Sequence, residues 1–331
     1  MRQDSFEQHH EPQWQRLEEI LDDLERAPRL RRLKAQEHAE LPRLYTQLCN
    51  DFALARGRGY SPALVEQLHR LVLRGHCRLY QRREAWGWRL LHFVTTDFPR
   101  TLRQHLRYLW LALALFALPG VLVGVGCLHD QELIYSLLDD EEVSSVEYMY
   151  RPGNEKLGRK RGRSAETDLG MFGFYISNNI GVGFRTFAGG IFYGVGAAVF
   201  LLFNGLLIGA VAGHLTRLGY IETFWPFVSG HGAFELPAIV ICGAAGLMLG
   251  HALLAPGRRR RVEALREQAQ PALRLVMGAA VMLVVAASLE AFWSPSAVPS
   301  VVKYSVAAGL WSLMLAYLAL AGRESGGSHQ T

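Results

Sequence analysis

The pattern of apolar and polar positions divides the chain into two different materials. Over residues 1–106 apolar side chains recur singly, at helical spacing, among many charges. Trp14, Leu17, Ile20, Leu21 and Leu24 come first, with acids between them. A break is expected near Pro28, and a helix resumes over 41–55. Ser61 followed by Pro62 reads as a helix start, a capping hydroxyl and then a proline at the first helical position. From there Leu64, Val65, Leu68, Leu71, Val72 and Tyr80 form one apolar face. Helices of this kind either pack into a small bundle or lie flat on a membrane surface.

Beyond residue 106 the polar positions thin out. A helix needs about 20 mostly apolar residues to cross the hydrocarbon of a bilayer. Residues 108–128, 191–213, 234–254, 273–292 and 304–321 meet that requirement. The 129–168 stretch is polar, acidic at first (Asp139, Asp140, Glu141, Glu142) and basic later (Arg159, Lys160, Arg161, Arg163). Five crossings from a cytoplasmic start would place Arg258, Arg259, Arg260 and Arg261 outside, against the preference of arginine for the cytoplasmic face. Residues 170–189 resolve the conflict. They are apolar enough to enter the bilayer, although they carry Asn178, Asn179 and Arg185. If they cross, the arginine run and both termini become cytoplasmic. The expected fold is therefore all-α, a polytopic helical membrane protein with about six membrane-inserted helices, of which 170–189 is atypical. Residues 1–106 are expected as a cytoplasmic helical region, 107–322 as the transmembrane domain, 129–168 as an extracytoplasmic loop and 323–331 as a cytoplasmic tail. The basic half of the 129–168 loop then lies outside, partly neutralised by its acidic neighbours.

Composition changes this picture little. The net charge of +5 lies beside membrane segments and forms no basic stripe interleaved with stacking aromatics, so no nucleic-acid partner is expected. Cys49, Cys77, Cys127 and Cys242 are widely spaced and form no Cys-x-x-Cys pair, which argues against a zinc knuckle or a disulfide framework. Met1 to Glu11 lacks the apolar core of a secretory leader, so the first region is expected to stay in the cytoplasm. There is no phosphate-binding loop and no Gly-x-Ser-x-Gly elbow. No catalytic residue is assigned, no cofactor is expected, and a non-enzymatic role is favoured. No inverted pair of halves marks a two-fold transporter.

Candidate chemistry lies in the polar residues of the apolar blocks, because an unpaired polar group in hydrocarbon costs several kcal/mol. These are Asn178, Asn179, Arg185, Asn204, His214, His231, Glu235, His251 and Glu290. His231 and Glu235 stand four apart and share one helix face. Such a pair can clamp a neighbouring helix, relay a proton or bind a metal, with His214 across a short loop as a further ligand. Asn178, Asn179 and Asn204 can donate and accept at once, so they serve as helix–helix ties or as ligand contacts. Arg185 is expected to reach the interface, with an acid such as Glu235 as the other option. Glu290, beside Trp293, and His251 read as headgroup-level residues at span ends.

Gly205, Gly209 and Gly213, and then Gly243, Gly246 and Gly250, recur at spacings of three or four, which lets helix backbones approach closely. The 191–213 and 234–254 helices are therefore expected to pack tightly, with each other or across a homodimer.

The block Asn178-Asn179, Gly189-Gly190, Asn204-Gly205, Gly209, His231-Gly232 and Phe234-Glu235-Leu236-Pro237-Ala238 resembles the stage II sporulation protein M (SpoIIM) family of bacterial integral membrane proteins. The likeness runs from about residue 172 to 250 and is looser upstream, through Trp14, Leu44-Tyr45 and the 71–80 helix. The resemblance implies a bacterial inner-membrane protein with partner proteins, and it does not imply sporulation; the leading reading is a dimeric scaffold or accessory subunit rather than an enzyme. The founding member acts in spore engulfment beside peptidoglycan-degrading partners. Many relatives lie near MoxR-type ATPases, von Willebrand A-domain proteins and RDD membrane proteins, which the resemblance makes the expected partners. No established chemistry accompanies Asn178, Asn179, Asn204, His231 and Glu235. Two other readings of the same residues stand beside it: a permease or channel with its ion or substrate site at His231 and Glu235, and a metal-dependent intramembrane hydrolase.

Overall fold

The computed structural model describes residues 3–25, 33, 35–80, 86–154, 157–158 and 168–323. The break expected near Pro28, the basic half of the 129–168 loop and all but the first residue of the 323–331 tail lie outside the described residues. Among the described residues the chain is all-α, without a strand. It forms two compact units, residues 1–89 and 90–331.

The first unit comprises α1 (Gln3–Glu25), the short α2 (Ala35–His38), α3 (Leu41–Gly57) and α4 (Pro62–Tyr80). The helical spacing of its apolar residues has a direct consequence. Trp14, Leu17, Ile20 and Leu21 of α1 meet Leu44 and Leu48 of α3 and Leu68 and Leu71 of α4 in one buried cluster. The bundle reading therefore holds over the membrane-surface one, because the apolar faces cover each other. Two buried acids are matched: Asp51 accepts from the Trp14 indole at 2.9 Å, and Asp23 faces the His38 ring at 3.0 Å. Arg74 of α4 ties back to Asp22 and Glu25 of α1 at 2.5 and 3.1 Å.

Across α5 (Trp86–His92) the chain enters the second unit. The expected boundary at 106/107 moves to 89/90. The reason is α6 (Phe98–Gln104), whose Phe98 and Leu102 join the core of the apolar bundle. Arg103 also donates to the carbonyls of Leu318 and Ala321, at 3.0 and 2.5 Å.

The bundle consists of α7 (Leu106–His129), α9 (Asp168–Ala188), α10 (Val195–Arg217), α11 (Ile221–Leu254), α12 (Arg261–Ser288) and α13 (Ser300–Leu320), with α8 (Asp140–Tyr150) in the polar connection after α7. Five of them are long and apolar enough to cross a membrane: α7, α10, α11, α12 with its extension to Trp293, and α13. The expected spans overlap these helices, but α10 begins only at Val195, after a short turn over Gly189–Ile191, while α11 begins well before 234 and α12 well before 273.

Helix direction follows from which residues meet. Phe116, Gly120 and Gly124 of α7 face Gly205, Gly209 and Gly213 of α10 in the same order, so these two helices run parallel. The chain must therefore return between them, and α9 is the element that does so. Gly183 faces Cys242 and Gly190 faces Gly246, so α9 runs parallel to α11. Its 21 residues span about 31 Å at 1.5 Å each, the thickness of a hydrocarbon core. The chain thus traverses the bundle six times, and Tyr317 of α13 returns to donate to the Val94 carbonyl at 2.6 Å.

The glycine expectation needs a correction. The Gly205, Gly209 and Gly213 stripe of α10 packs on α7 and not on α11, because α7 carries a matching stripe of Gly120 and Gly124. The second set does reach the start of α10: Gly243 meets Leu201, Gly246 meets Ala197 and Gly190, and Gly250 meets Gly194. Gly194 itself has φ +83, the left-handed turn that lets α10 start immediately after α9.

Candidate functional site: a buried His–Glu–Glu centre

Three helices converge on one polar point. His231 and Glu235 lie ten and fourteen residues into α11, about 15 and 21 Å along its axis. Pro237 follows, and its missing N–H withdraws the donor that the Ala233 carbonyl would otherwise receive. Glu290 comes from the end of α12, in a wider turn over Leu289–Trp293 closed by the Ser294 N–H on the Leu289 carbonyl at 2.8 Å. A widened turn of this kind rotates a side chain away from the register a regular helix would give it. Ligand atoms of His231, Glu235 and Glu290 lie within 4.8 Å of one another.

His231 and Glu290 each have an orienting partner. His231 Nε2 stands 3.8 Å from a Glu235 oxygen, while its Nδ1 is 3.0 Å from the Ser294 hydroxyl. Ser294 is buried, and its carbonyl accepts from the buried Lys303 ammonium of α13 at 2.7 Å. Asn179 of α9 donates to Glu290 at 3.4 Å, and Asn178 donates to the Asn179 side-chain carbonyl at 3.1 Å. Phe227 sets its ring edge against His231 at 5.7 Å. Tyr150, at the end of α8, meets the rings of Phe224 and Phe227. Desolvation raises the Tyr150 phenol far above its ordinary value.

The other sequence candidates lie elsewhere. His214 is buried, but its Nε2 is 2.8 Å from Glu147 of α8, so it pins the polar connection and adds no ligand to His231. Asn204 donates to the Phe200 carbonyl one turn back in its own helix, at 2.7 Å. Arg185 points outward and donates to the Gly181 carbonyl at 3.0 Å, away from Glu235. His251 is exposed and meets the Tyr108 hydroxyl at 2.7 Å. Glu290, read as a headgroup residue beside Trp293, instead completes the centre. The widened turn that aims it inward leaves no signal in helical periodicity. Ser294 and Lys303 were also not singled out, although a lysine three residues into an apolar helix is itself a signal.

Comparison with known proteins agrees with the division of the chain. Residues 4–81, within the first unit, match a domain of unknown function, DUF8413. An uncharacterized protein of Methanocaldococcus jannaschii is 25% identical over 122 residues, which is 36% of this chain and 68% of the relative. No solved structure matches the chain significantly. The family model of stage II sporulation protein M matches residues 111–295, more than half of the chain and all of the His231–Glu235–Glu290 centre, so the chain belongs to that family.

Proposed function

We propose that this SpoIIM-family membrane protein is a scaffold of the bacterial cytoplasmic membrane. In this reading the six-pass bundle is the anchor, and the N-terminal helical unit is a docking platform in the cytoplasm. The observation that carries it is the separation of a compact helical unit, with its own buried core, from the apolar bundle. Charge supports the orientation. Arg100, Arg103, Arg107 and the run of Arg258 to Arg261 lie at the end where α7 begins and α11 finishes. Asp130, Glu132, Asp139, Asp140, Glu141 and Glu142 lie at the other end. Arginine collects on the cytoplasmic side, so the first end faces the cytoplasm and α9 is a true crossing. A homodimer receives no support from the Gly205, Gly209 and Gly213 stripe, which α7 covers within the chain.

Leu54 of α3 and Leu73 of α4 are exposed apolar residues of the first unit and suit a partner contact. A MoxR-type ATPase is the expected partner. Its co-purification with the full chain, lost in Leu54→Glu/Leu73→Glu while the variant stays in the membrane fraction, is the expected result. An ATPase that never co-purifies with the wild type defeats the partner assignment. The permease and hydrolase readings place their chemistry at His231 and Glu235, and both first require that the centre bind something.

A further inference from the structure

Two carboxylates and an imidazole meet inside an apolar bundle, where a bare charge is costly. Among the described residues Lys303 forms no ion pair with either glutamate, and its ammonium donates to the Ser294 carbonyl. Glu235 and Glu290 therefore need a shared proton or a cation between them.

We propose that His231, Glu235 and Glu290 bind one divalent transition-metal ion of the zinc class inside the membrane bundle. The separation of the donors fits. Ligands 2.0–2.2 Å from zinc in a tetrahedron stand roughly 3.4 Å apart. The His231–Glu235 separation is 3.8 Å, and all three donors lie within 4.8 Å, so small side-chain rotations bring them onto one ion. The donor chemistry fits as well, because an imidazole beside carboxylates favours zinc, manganese or iron over calcium and magnesium. Charge balances among the ligands: a neutral imidazole and two carboxylates cancel a divalent ion.

The surroundings are those of a metal site. Ser294 engages Nδ1 of His231 and leaves Nε2 directed at Glu235, and Asn179 holds Glu290. Outer partners of this type fix the orientation of metal ligands. Three protein ligands leave a fourth position for a water or a further ligand. This binding site goes beyond the scaffold reading and does not depend on it.

The test uses the full-length protein in detergent, stripped with a chelator and reloaded with Zn2+. Metal analysis is expected to return one zinc per chain. Competition with a chromophoric chelator is expected to show an affinity at least tenfold weaker in Glu235→Gln and in Glu290→Gln. Asn179→Ala is expected to weaken it by about 10–100-fold, the range for lost outer partners. Glu222→Gln, at the start of α11, keeps the wild-type affinity. Where a variant loses its cooperative melt, the wild type decides through Co2+: visible bands of a four- or five-coordinate nitrogen–oxygen site that Zn2+ displaces support the proposal. A wild type that retains no zinc and gives no such bands overturns it and leaves the shared proton. Zinc retained equally by both Glu→Gln variants overturns it too, as adventitious binding.

Discussion

Asn178 and Asn179 are neighbours of one type with different surroundings. Asn179 is 2% exposed and supports Glu290, while Asn178 lies on the exposed face and reaches only Asn179. Removing a buried hydrogen-bonding group costs about 1–3 kcal/mol, whereas a surface change stays within about 0.5 kcal/mol. Asn179→Ala is therefore expected to lower the thermal midpoint in detergent clearly and Asn178→Ala hardly at all; equal effects would contradict their placement. His214 supplies a second contrast. Its 2.8 Å link to Glu147 joins α10 to α8, so His214→Ala is expected to raise amide exchange in α8 while leaving that of α11 unchanged. In the first unit, Trp14→Phe removes the indole donor from the buried Asp51. The His10 ring stays 3.1 Å from the same oxygen, so the loss expected is that of one hydrogen bond to a charged group, about 1.5–3 kcal/mol, read as faster exchange of the α1 amides. Trp14 and the His231–Glu235 spacing were legible in the sequence, since each rests on local helical geometry. Glu290 was visible as a polar residue, but its partner comes from another helix and from a widened turn.

At the scale of helices, glycine separates contact from tolerance. A side chain at Gly209 would overlap the backbone of Gly120, and one at Gly120 would overlap that of Gly205. Gly309 of α13 has open space around its missing Cβ. Gly209→Val is expected to destabilise the bundle by about 1–3 kcal/mol or more through overpacking. Gly309→Ala is expected to be neutral or to stabilise by up to about 1 kcal/mol through helix propensity. Thermal unfolding of the two variants side by side checks this, and a well-tolerated Gly209→Val would remove α7 as the partner of that stripe. The spacing of the glycines announced close approach. It did not say to which helix, because a stripe specifies a surface and not its complement.

For the whole molecule the decisive feature is the parallel pairing of α7 with α10, which requires a return through α9. Six crossings with a cytoplasmic start place residues 130 and 218 outside and residue 258 inside. In a chain freed of its four native cysteines, Asp130→Cys and Leu218→Cys are expected to react with a membrane-impermeant maleimide in intact cells. Arg258→Cys is expected to react only after permeabilisation. The reverse pattern at 218 and 258 would mean that α9 dips in and returns. The positive-inside argument had favoured six insertions from the position of Arg258 to Arg261 alone, and the packing of α9 along α11 supplies an independent geometric reason.

The sequence by itself determined that this is an all-α membrane protein with a charged helical region ahead of it. Those properties follow from apolar run length and helical period, both local along the chain. It also determined that His231 and Glu235 share a helix face, since four residues make about one turn. Only the tertiary structure decided that Glu290 joins them, that His214 and Asn204 do not, and that α7 covers the glycine stripe. Each of these depends on the direction and register of helices distant in sequence, which no periodicity within a single helix encodes.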